Sequence, residues 1–314
     1  MSSIHQTSVN LQAYQSSVSI YILCGSLGVL LWDILDNASS DFYLIFKTHI
    51  SFTTVVYLGS RMGSLEYAIG CNIFQTAPTG DCSGLEKIAG AFYPISLGLS
   101  GFLFFIRLRA VFNDFRSAVA FFFLLWLGLL GSTMIAPLTV HGTVIGDTRY
   151  CRDTFPKAVY ASILSPLIYD TLVFGAITCR LVMNVHVEMG IKDGFMVAFS
   201  GKYLPTFSRG MLKDGQKYYL LSLIFNLMTV VIIFNTSVPV TMRSMWVTPN
   251  VVLTNIMACR VYRNTRFSCL EEWEVSTSTS RYKQKRTQIP IFAHTQETTM
   301  STYNDGLADI LMIR

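Results

Sequence analysis

Seven long apolar runs, separated by short polar segments, leave this chain few ways to fold. An α-helix rises 1.5 Å per residue, so about 20 apolar residues cross the ~30 Å hydrocarbon core of a bilayer. Runs of that order occupy residues 17–35, 50–74, 88–108, 117–140, 158–183, 218–238 and 244–261. They predict an all-α fold, a polytopic membrane bundle of seven transmembrane helices. The first run and the third to sixth are the clearest. The second carries Arg61 and Glu66, and the seventh is short, with Arg243 at its mouth and Pro249 inside it. Composition points the same way: 51% of residues are hydrophobic, only 14% are charged, and mean hydropathy is +0.44, which lies outside the soluble range. Residues 1–16 contain no Lys or Arg, so the basic start of a cleaved signal peptide is missing and the first helix is expected to stay as an anchor.

Orientation follows from basic residues, because cytoplasmic loops accumulate them. With the N-terminus outside, the inner segments hold Lys47, then Arg107, Arg109 and Arg116, then Arg180, Lys192, Lys202, Arg209, Lys213 and Lys217, and eight more at position 260 and beyond. The outer segments hold Lys87, Arg149, Arg152, Lys157 and Arg243. The C-terminus is therefore expected in the cytoplasm. The chain divides into an extracellular segment (1–16), a seven-helix domain (17–262), a candidate interfacial amphipathic helix (263–275) and a disordered cytoplasmic tail (276–314) rich in Ser, Thr, Lys and Gln. Phe267, Leu270 and Trp273 recur at helical spacing beside Arg263 and Arg266, as in helices that lie on a leaflet. Cys269 among them is a candidate palmitoylation site, with a plain cytosolic thiol as the alternative. The basic residues lie in loops and offer no nucleic-acid-binding face.

Three of the seven cysteines, Cys71, Cys82 and Cys151, fall at or beyond the outer face, where a disulfide is permitted. Pairing Cys82 with Cys151 would pin the loop between the fourth and fifth spans over the bundle. Cys71 with Cys82 is the rival, and three separate thiols are the third reading.

A charge inside the hydrocarbon costs about 2.5–3.5 kcal/mol on insertion scales. Asp33, Arg61, Glu66 and Asp170 therefore form a candidate intramembrane polar cluster facing the bundle interior. Glu66 lies five residues from Arg61, about 140° around the helix, so Asp33 or Asp170 is at least as good a counter-ion. A structural ion pair is the simpler reading, a ligand or proton-relay site the sharper one. Asn226, Asn235, Asn250 and Asn255 in the last two runs can hydrogen-bond between helices. The five histidines lie in five separate segments without metal-ligand spacing, and the last run has no Lys for a retinal Schiff base. No catalytic residue, metal or cofactor is expected, and the chain is not read as an enzyme.

Several short motifs carry a family resemblance. They are Leu31-Trp32-Asp33, Tyr57-Leu58-Gly59-Ser60-Arg61, Ile106-Arg107-Leu108-Arg109-Ala110-Val111, Tyr169-Asp170 and Leu212-Lys213-Asp214-Gly215-Gln216-Lys217-Tyr218-Tyr219. In this order, across about residues 15–268, the chain resembles a group of uncharacterised fungal (basidiomycete-type) seven-span membrane proteins with an N-terminal domain of unknown function. The resemblance implies architecture, distantly similar to G-protein-coupled receptors, with a third-span-to-outer-loop disulfide and a basic inner surface. The third span here ends in Arg107-Leu108-Arg109, without the acidic-Arg-aromatic triplet of rhodopsin-like receptors. The seventh has Asn255-Ile256-Met257-Ala258-Cys259 in place of their Asn-Pro-x-x-Tyr.

The function expected first is a receptor-like sensor in the plasma membrane. It would have an outward pocket lined by the second, third, fifth and seventh helices. Its candidate partner face, for a cytosolic signalling protein, comprises Arg107, Arg109, Lys213 and Asp214. A small-solute or proton transporter resting on Arg61, Glu66 and Asp170 is the alternative, with a non-catalytic structural membrane protein behind it. No residue names the ligand.

Overall fold

Apolar runs that must satisfy their own backbone become helices, because only a helix closes all its N–H and C=O groups within one segment. In the computed structural model, which describes residues 2–47, 51–78, 81–113, 115–144, 151–154, 156–186, 206–235 and 237–287, each of the seven runs is helical over most of its length. The helices are α1 (Ser2–Asp36), α2 (Ala38–Phe46), α3 (Phe52–Thr76), α4 (Cys82–Val111), α5 (Arg116–Thr133), α6 (Ile135–Thr139), α7 (Val159–His186), α8 (Thr206–Phe234), α9 (Val240–Ser244) and α10 (Val247–Thr287). A two-stranded antiparallel hairpin, β1 (His141–Val144) with β2 (Cys151–Thr154), lies between α6 and α7. Its register pairs His141 with Thr154 and Val144 with Cys151.

Four helical stretches are long and apolar enough to cross a membrane: Tyr14–Asp36, Cys82–Val111, Arg116–Thr139 and Val159–Arg180. Tyr218–Phe234 is a shorter apolar helix. Their large side chains stand exposed, Trp32 at 71% and Leu124 at 65% among them, a surface that suits lipid and not water. The chain is an integral membrane protein. α3 and α10 are more polar, and they turn their polar residues inward. Thr53, Thr54, Ser60, Arg61 and Ser64 of α3 and Thr254, Asn255 and Arg263 of α10 are buried, whereas Phe52, Val55 and Met62 of α3 are exposed.

Packing centres on α4, which touches α3, α5, α7, α10 and β1. Small residues bring α3 against it. Ser64 bonds Ser96 across the seam, and a Cβ on Gly70 would come within 2.6 Å of the Ala89 Cβ. Close helix contact of this kind is a membrane-protein habit, since lipid supplies no hydrophobic drive between helices. Below the seam Tyr57, Phe104, Leu108, Val173 and Tyr219 form the main core, and Leu44 of α2 inserts into it.

Helix extends further than expected at both ends of the bundle, and two expectations at the C-terminal end differ from the structure. The first helix already runs from Ser2, so the segment before the first apolar run is helical and continuous with it. The backbone bonds from Asn37 N to Asp33 O (3.2 Å) and from Asp41 N to Asn37 O (3.0 Å) carry it, past one turn residue, into α2. At the other end α10 passes unbroken through 263–275 and on to Thr287, in place of a separate surface helix and a tail disordered from 276. No Pro or Gly occurs between 250 and 287, and Leu, Glu, Lys, Gln and Arg sustain a helix there. Residues 288–314 lie outside the described residues. The hairpin was not foreseen, because four-residue strands carry too little periodicity to stand out.

Candidate functional site

α10 threads three polar layers, and each can be built from its residues. The first lies where α1 and α2 meet α3. Arg61 points inward from α3, and its side chain is 5% exposed. Nη2 donates to the Asp33 carbonyl and to Asp33 Oδ2, both at 3.0 Å. Nη1 donates to Asp41 Oδ2 and, at 2.7 Å, to Tyr57 Oη. Four donors of the five-donor fork are thus met. Tyr57, one turn before Arg61, also donates to Asp41 Oδ1 at 2.5 Å and accepts from Arg263 Nη1 at 2.9 Å. Arg263 Nη2 stands 3.7 Å and Arg260 Nε 3.3 Å from Asp33 Oδ1. Three arginines therefore meet two carboxylates, leaving one formal positive charge, and Arg260 is the half-exposed member.

The second layer joins α7, α8 and α10. Asp170 Oδ2 accepts from Asn226 Nδ2 at 2.7 Å and from Ser222 Oγ at 3.3 Å, and Asn250 Nδ2 donates to Asn226 Oδ1 at 2.7 Å. One turn or so further along α10, Asn255 Nδ2 donates to Ser100 Oγ at 3.0 Å, and Cys259 lies within 3.8 Å of Ser60 Oγ.

The third layer sits at the other end, beneath the hairpin. Cys82 and Cys151 form a disulfide. Cys71 takes no part in it and instead lines a cavity of about 100 Å³, with Tyr67, Glu86, Tyr93, Ser162, Met245 and Thr248 also on its wall. That volume holds several waters or one small solute. α3, α4, α7 and α10 supply most of the lining, with Leu23 of α1, Ala136 of α6 and Val140 just before β1. Gly142 lies so close under the disulfide that a Cβ there would stand 2.4 Å from the Cys82 carbonyl oxygen and 2.9 Å from the Phe74 ring. Backbone cannot yield as a side-chain tip can, so Gly142→Ala should lower unfolding stability by about 1–3 kcal/mol, read as a reduced Tm in detergent. An unchanged Tm would show that the hairpin floats.

The polar cluster expected from Asp33, Arg61, Glu66 and Asp170 is thus divided. Asp33 and Arg61 pair; Asp170 belongs to a different layer; Glu66 is exposed on the flank of α3, on one face with Met62 and Ile73. Helical phase explains Glu66, since 62, 66 and 73 share a face turned away from α4. Asp41, Tyr57, Arg260 and Arg263 were missed as members. Tyr57 had a signal, its i, i+4 spacing from Arg61; Arg260 enters the sequence reading only as a topology charge, and Arg263 as a topology charge beside the candidate amphipathic helix. Of the expected partner face, Arg107 lies at the last turns of α4 with its guanidinium 5.4 Å from the Tyr219 ring centroid, and Arg109 is close by. The side chains of Lys213, Asp214 and Cys269 lie outside the described residues.

No protein-family model matches the chain, and no curated protein matches it either.

Proposed function

We propose that this protein is a receptor-like sensor: seven spans, N-terminus outside, C-terminus cytoplasmic, sited in the plasma membrane and akin to the fungal seven-span group. The observation that carries the reading is the course of α10. One helix lines the cavity with Val247 and Thr248 and, four turns on, supplies Arg260 and Arg263 to the Asp33 network. A solute that reseats the first turn of α10 would shift the arginines at its other end, and packed helices transmit such shifts because they are bistable and resist smooth deformation.

The proposed topology draws support from charge. The disulfide and hairpin sit at the ends where α4 and α7 begin, while Arg107, Arg109, Arg116, Arg180 and Arg260 gather at the opposite ends. Arg61 favours sensing over transport, because its donors are consumed in a closed ion-pair network and offer no alternating path. The transport reading keeps one foothold, the Asp170 carboxylate.

The test is a thermal-shift screen of small solutes against the protein in nanodiscs, repeated on Thr248→Trp, which fills the cavity. Solutes that raise Tm in the wild type should lose that effect in the variant. They should also change binding of purified G-protein α subunits to the arginine end. If no solute condition yields binding of a G-protein α subunit or another defined cytosolic partner, the sensor loses its mechanism.

A further inference from the structure

We propose that the Asp170 layer is a binding site for one monovalent cation of sodium size, independent of the sensor reading. Asp170 is 4% exposed and lies within the apolar stretch Val159–Arg180. Among the described residues no Lys, Arg or His comes within ion-pair distance of it, and its partners are the neutral donors Ser222 and Asn226. A carboxylate taken out of water needs a counter-charge as well as hydrogen bonds. Arg61 has such partners in its own layer; among the described residues Asp170 has none.

Unspent oxygens belong to the helix faces that build this layer. Tyr219, Ser222 and Asn226 recur at i, i+3 and i+7, so they share one face of α8, and Asn250 and Thr254 recur at i, i+4 on α10. α8 and α10 run antiparallel with Asn226 bonded to Asn250, which sets Thr254 level with Ser222. The Tyr219 hydroxyl, Thr254 Oγ1 and Asn250 Oδ1 are all buried without a hydrogen-bond partner, and Tyr219 and Thr254 are only 2% and 3% exposed. Buried polar atoms are nearly always satisfied, so three orphans beside one lone carboxylate describe a missing ligand. Hard oxygen donors suit an alkali or alkaline-earth ion. A single carboxylate matches one positive charge, whereas divalent sites gather more acids. No His or Cys belongs to the layer.

The other ionisable groups nearby do not supply the charge. Tyr169 donates its hydroxyl to the Gly101 carbonyl at 2.9 Å. Arg107 on α4 covers the Tyr219 ring without reaching Asp170. α5 carries no charged residue beyond Arg116 at its start.

The experiment compares unfolding of the detergent-purified protein in sodium, potassium and N-methylglucamine chloride at one ionic strength. Sodium should raise Tm saturably, as a ligand of the folded state does. Asp170→Asn should abolish that response, and Thr254→Val should move its midpoint to higher sodium. If Asp170→Asn does not fold, radiolabelled sodium bound to the wild type should be displaced by unlabelled sodium and not by N-methylglucamine. Superimposable curves in all three salts overturn the proposal, as does a sodium response that persists in Asp170→Asn. Stabilisation by acid alone, with no preference among cations, would make a proton the occupant and overturn it equally.

Discussion

Arg61→Ala should lose about 3–5 kcal/mol of unfolding stability, the scale for removing one partner of a buried pair. The cost comes from what remains. Asp33 and Asp41 would both lose the Arg61 guanidinium, leaving Asp33 with Arg260, Arg263 and the Asn37 amide, and Asp41 with the Tyr57 hydroxyl and no counter-charge of its own. Chemical unfolding of the purified protein in detergent measures the loss. Two companion variants separate this from mere packing. Arg61→Met/Asp41→Asn removes charge on both sides and should fall short of the sum of its single losses, because residues in one network are coupled. Arg260→Ala, at a half-exposed site, should cost under about 1 kcal/mol. Equal losses at Arg61 and Arg260 would sink the assignment of Arg61 as the buried centre.

The second large effect is expected at Cys82 and Cys151. The bond closes a loop of 69 residues, for which the chain-entropy relation gives about 4 kcal/mol. Helices held in a bilayer are already restrained when unfolded, so that figure is the upper end. Cys82→Ser/Cys151→Ser should lower Tm markedly. Reducing agent should lower the wild-type Tm by the same amount and leave the variant unmoved. Solute responses assigned to the cavity should weaken with it, because Val140 lines the cavity and leads directly into β1, while Cys82 and Phe74 pack against Gly142 of that strand. A wild type indifferent to reductant would show that the bridge does not hold the hairpin.

Much of this molecule could be read one residue at a time. A run such as 117–140 is apolar along its whole length, and the cost of leaving backbone groups unbonded in lipid permits only a helix there. The burden of unpaired charge likewise marked Asp33, Arg61 and Asp170 as residues needing partners. The same reasoning misplaced Glu66, because hydropathy along a chain does not say which face of α3 meets α4. It also missed Asp41, whose short helix carries no transmembrane signal and is placed by its junction with α1 and by Leu44 in the core.

Helical segments, their polarity and the need for buried counter-charges were thus determined by the sequence alone, since each depends on properties local to a turn or a run. Which charges meet was decided by the tertiary structure. Asp33 and Arg260 are 227 residues apart, Asp170 and Asn226 are 56 apart, and their contact depends on the rotation of packed helices about their own axes. That rotation is set by small residues at seams such as Ser64 with Ser96. Summed packing of several helices chooses it, and no single segment carries the information.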